Sequence, residues 1–160
     1  MLLPDNRQYV AATMSGPQLR AVGLDALLNN MQYPPQVNEA VGLLLSRVPD
    51  FAEARSQDSS FMSHGENESP YLVFGDFALF FAQQLEAKGV SIHNESWLQP
   101  SFQVIDEMLT SADPELVNLI QVGVLEVLAG HPGALTLVKT NLSAPGQKQF
   151  EEWVKISNQT

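Results

Sequence analysis

No cysteine occurs in the 160 residues, which removes disulfides, thiolate nucleophiles and cysteine-based zinc sites together and fits a reducing compartment. Cations are scarce as well: eight Lys and Arg stand against 18 Asp and Glu, a formal net charge of −10. Nucleic acid is therefore not an expected partner, because phosphate binding by counterion release needs clustered cations, and anionic membranes are repelled in the same way. No run approaches the ~18 apolar residues of a membrane span, so no membrane association is predicted. The opening Met1-Leu2-Leu3-Pro4-Asp5-Asn6-Arg7 lacks a basic stretch followed by an apolar one, so it does not read as a secretory signal and the expected location is cytoplasmic. The Asn-X-Ser/Thr triplets at Asn67, Asn94, Asn141 and Asn158 then read as chance rather than as glycan acceptors.

Charged residues make up only 16% of the chain and hydrophobic ones 44%, a balance typical of a packed globule and too apolar for a disordered chain. The length fits one domain with one core. Helical punctuation recurs along it. Ser15-Gly16-Pro17 opens a segment whose Leu24, Leu27, Leu28 and Met31 have the spacing of one buried helix face. Pro34-Pro35 opens the next, with Val37, Val41, Leu44, Leu45 and Val48 inward and Pro49 as its stop. Phe51 to Phe61 adds a short helix, followed by a polar loop over residues 63–70.

Tyr71 to Lys88 carries a stripe of Phe74, Phe77, Ala78, Phe81 and Leu85 and is closed by Gly89. After a turn at residues 96–100, Phe102, Ile105 and Leu109 repeat at helical spacing. Asp113-Pro114-Glu115 supplies an N-cap, a first-turn proline and a dipole-matching acid. Leu116 to Leu128 is the most apolar stretch and the predicted central helix; Gly133 to Leu142 forms another, and Ser143 with Pro145 opens a last one that buries Phe150, Trp153 and Val154. The expected fold is all-α, a single-domain bundle of about six or seven short antiparallel helices, with an irregular stack of helical hairpins as the alternative. Residues 34–160 form the helical domain, and residues 1–33 an N-terminal extension, read as an extra helix or a partly ordered arm.

Chemistry finds little to start from. Gly-X-Ser-X-Gly and the glycine-rich phosphate loops are missing. His64, His93 and His131 have no second histidine at metal-binding helical spacing and read as loop residues, so no catalytic, cofactor or metal site is assigned. His131, in a Gly-His-Pro turn, is expected against the carbonyls that end the preceding helix. Asp106-Glu107 and Glu151-Glu152 read as solvated faces. Asp76 and Glu126 lie in very apolar segments, where a structural role in hydrogen bonding is favoured over a functional one. Phe80, on the flank of its stripe, is the aromatic residue left for a partner to cover.

The sequences Leu44-Leu45-Ser46-Arg47-Val48-Pro49-Asp50-Phe51, Phe74-Gly75-Asp76-Phe77-Ala78, Ser111 to Ile120, and Val124-Leu125-Glu126-Val127-Leu128 carry a resemblance. Across residues 36–157 the chain resembles a family of small acidic helical bacterial proteins without assigned biochemistry, some regarded as immunity proteins encoded beside polymorphic toxins. That resemblance implies an all-helical fold and supplies no catalytic residues. With the charge, it makes a non-catalytic protein-binding domain the leading expectation, its partner a basic protein such as a toxin domain. Asp58, Glu66 and Glu68 are the candidate acidic contacts. The alternatives are an enzyme or small-ligand binder in which Asp76, Glu126 and a histidine meet between helices, and a scaffold that forms homo-oligomers through an apolar face.

Overall fold

A computed structural model describes residues 33–58 and 69–159. Within them the chain is all-helical and no strand occurs. Proline sets the starts: α1 (Pro35–Arg47), α2 (Pro49–Gln57) and α3 (Pro70–Lys88) each have it at the first turn, where a missing N–H costs nothing. Pro49 thus does more than end α1; it begins α2 after a single non-helical residue, Val48. Val37, Ala40 and Leu44 are the buried line of α1, while Val41 and Leu45, expected inward, lie at its half-buried flanks. The helix foreseen over residues 15–31, and nearly all of the extension containing it, lie outside the described residues.

The central helix is α3, not the 116–128 segment. Residues Val73 to Ala78 are buried in unbroken succession, and Phe80, Phe81 and Ala82 follow. A helix apolar on every side has no solvent face and belongs in the middle of a bundle. It packs on α1, α2, the helical run between Pro114 and Leu128 and the helix Pro132–Thr140. It ends at Gly89, whose φ of 56° suits a residue without a Cβ and whose N–H donates to the Leu85 carbonyl. A 3-10 turn, Gly89–Asn94, then tucks Ile92 into the core, and the Lys88 ammonium pairs with Glu95 at its end.

α4 (Leu98–Leu109) buries Phe102, Val104, Ile105 and Met108. The following run, α5, has three consecutive segments: α-helical Pro114–Ile120, π-helical Gln121–Leu125 and α-helical Glu126–Leu128. Asp113 caps it by accepting from the Glu115 N–H at 3.0 Å. Within the π segment Gly123 allows close approach to α3: a Cβ there would lie 3.0 Å from the Phe74 Cβ. α6 (Pro132–Thr140) and α7 (Ala144–Ser157) complete the chain.

Ser143 caps α7, its hydroxyl accepting from the Gly146 N–H at 3.2 Å. The cap is itself held from α4, because one carboxylate oxygen of Asp106 accepts from the Ser143 N–H at 3.1 Å and from its hydroxyl at 2.9 Å. The next residue, Glu107, accepts from Arg47 of α1 at 2.7 Å. Two neighbouring carboxylates expected to be merely solvated therefore tie α4 to two different helices.

Candidate protein-binding groove

On α1, residues 36, 39, 40, 43 and 46 recur every three to four positions and so share one side of the helix. That side faces the last turn of α4 and the first turn of α5, and between the three lies a groove of about 560 Å³. Its floor is Ala40, Leu43, Met108 and Leu116; Gln36, Glu39, Ser46 and Glu107 stand at its rim. The volume is in the range of real binding sites, roughly 300–1,000 Å³. Small residues leave the space open: Ala40 is short, and a Cβ added to Gly42, another lining residue, would meet nothing within 4 Å.

Both charged lining residues are acidic. Glu107 has its charge matched by Arg47, whereas Glu39 is exposed. A carboxylate, an amide and a hydroxyl around an apolar floor can accept hydrogen bonds and attract cations while the floor takes aliphatic side chains. They offer no nucleophile with a base beside it.

The residues singled out from sequence are not gathered here. Asp58 is exposed at the end of α2, its backbone N–H donating to the Ala54 carbonyl at 3.0 Å, and it does not line the groove. Glu66, Glu68 and His64 lie outside the described residues. Phe80 requires correction. It is 4% exposed, with the rings of Phe51 and Trp97 centred 5.6 and 5.0 Å away, so the chain itself covers the surface assigned to a partner. From Val73 to Ala82 α3 has no exposed side, so Phe80 has no solvent flank to stand on.

Among the described residues Asp76, Glu126, His93 and His131 do not meet either. Asp76 is fully buried in α3. Glu126 is exposed and lines a depression beside Trp153, while His131 lines a separate one with Glu86 and Leu85. His93 is exposed on the 3-10 turn. Among the described residues no group of three or more His, Asp or Glu side chains is placed to hold a metal ion. At the end of α5 it is the backbone N–H of His131 that donates to the Leu128 carbonyl, at 2.8 Å. Among the described residues no helix is long and apolar enough to cross a membrane.

Leu43 lies off the stripe of α1, and its groove companions on other helices, Glu107, Met108 and Leu116, are 64 or more positions away, so no local pattern marks the groove. Gly42 inside a helical segment was the one local signal. Residues 41–158 match the family described as "Domain of unknown function (DUF7674)". The chain belongs to that family. The DUF7674 match starts within α1 and ends just past α7, so it takes in Gly42, Leu43, Met108 and Leu116 of the groove and leaves Gln36, Glu39 and Ala40 before it. No curated protein and no solved structure matches the chain significantly.

Proposed function

We propose that this DUF7674 protein is a non-catalytic binding domain that captures a basic protein through its acidic surface, in the specific form of an immunity protein that neutralises a toxin. The observation that carries the reading is the charge: a net −10 in 160 residues, with Glu39, Asp50, Glu53, Glu86, Glu115, Glu126 and Glu152 all exposed on a rigid helical frame. Such a surface accelerates encounter with a positively charged partner and rejects acidic ones. A toxin that acts on nucleic acid needs a cationic site for its substrate. An acidic protein occupying that site blocks the substrate without any chemistry of its own.

The test is capture at low salt followed by protection. The full chain, tagged and used as bait in its own host, should retain a protein of basic composition. Expression of that protein alone should arrest growth, and co-expression of the chain should restore it. Arrest that continues despite co-expression rejects the immunity role, and a captured protein of acidic composition rejects the charge argument beneath it.

A further inference from the structure

We infer that the groove between α1, the end of α4 and the start of α5 takes one basic amphipathic helix of the partner protein; this rests on the acidic-surface reading and gives it a place. The groove is long in one direction because its wall is a single helix side, from Gln36 to Ser46. Its floor is apolar across three helices, with Ala40 4% and Met108 3% exposed and Leu43 and Leu116 half-buried beside them. That combination suits helix-in-groove recognition, in which apolar side chains at i, i+3, i+4 and i+7 seat as anchors.

An added strand is the other common way to hold a peptide, and it needs a free sheet edge, which the described residues do not have. Charge selects among helices. The lining contains Glu39 and Glu107 and neither Lys nor Arg; the nearby Arg47 is engaged with Glu107, leaving Glu39 for a cation of the guest. Lysines flanking the apolar stripe of the bound helix would meet this rim.

Gly42 makes the groove testable without unfolding the protein. Its Cβ direction is open, and any ordinary side chain favours a helix more than glycine does, so Gly42→Trp fills the groove while α1 is kept. The probes are two synthetic Lys/Leu peptides of equal charge, one with leucine at i, i+3, i+4 and i+7, the other with the same residues reordered to break the stripe. Fluorescence anisotropy with the full chain at low salt reads their affinities.

The striped peptide should bind about tenfold more tightly than the reordered one, and Gly42→Trp or Glu39→Lys should each remove about that factor. Glu86→Lys, the same charge change outside the groove, should weaken binding by less than about threefold. Equal affinity for the two peptides overturns the groove and leaves the acidic-surface reading standing; failure of both to bind at low salt removes that reading too. A lower melting temperature for Gly42→Trp would mean that residues 1–32 of the chain fill the groove. A smaller sedimenting mass would mean that a second copy does. Either result overturns the assignment to a partner helix.

Discussion

Replacing Gly146 by alanine puts a methyl group where a carboxylate already sits. The new Cβ would lie 2.0 Å from Oδ1 of Asp106, 3.2 Å from its Cγ and 3.1 Å from the Leu142 Cβ. The Asp106 side chain has to swing away, and in doing so it loses both hydrogen bonds to Ser143, the residue that caps α7. Each such bond at a partly exposed site is worth about 1 kcal/mol. Alanine returns less than about 1 kcal/mol through its higher helix propensity. The net expectation is a loss of about 1–2 kcal/mol, read as a lower urea midpoint by far-UV circular dichroism. Asp106→Ala alone breaks the same two bonds and should cost about as much. The two changes are coupled. Once Asp106 is alanine the carboxylate is gone and the 3.1 Å approach to the Leu142 Cβ remains, so Gly146→Ala should cost clearly less there than in the unaltered chain, by about 1 kcal/mol. Equal destabilisation by Gly146→Ala in both backgrounds would refute the reasoning, because the clash would then not involve Asp106.

Phe77→Ala should cost about 3–5 kcal/mol, since the ring is fully buried against Phe51; a loss under about 1 kcal/mol in urea unfolding would place it outside the core. Phe80→Ala should cost a comparable 3 kcal/mol or so, whereas a ring reserved for a partner would change the stability of the free chain by less than about 0.5 kcal/mol. Gly89→Ala should lower stability by about 1 kcal/mol or more, because φ of 56° is strained for any residue with a Cβ; an unchanged melting temperature would contradict that backbone assignment.

Helix starts were legible because proline and capping residues act locally. Pro35, Pro114 and Pro145 each stand in a first turn, and Asp113 and Ser143 cap as their side chains suggest, while Pro70, assigned to the loop, opens α3. Helix surroundings were less legible. The stretch Val73 to Ala82 contains one charged residue, Asp76, and that low polarity is the sign of a helix enclosed on all sides. Reading a single stripe there sent Phe80 to the surface and made the 116–128 run central. Contacts between distant residues left no local trace. Asp106 and Ser143 are 37 residues apart, and the closeness at Gly123 depends on which helix crosses it. The groove is of this kind too: three helices must be in place before Leu43, Met108 and Leu116 share a floor.

The dependence of partner affinity on salt concentration tests the central claim most directly, measured with the full chain and with Glu66→Lys and Glu68→Lys combined. Affinity should fall steadily as salt rises, and the double charge reversal should weaken binding and flatten that fall at an unchanged melting temperature. An affinity indifferent to salt in the unaltered chain would contradict capture through an acidic surface.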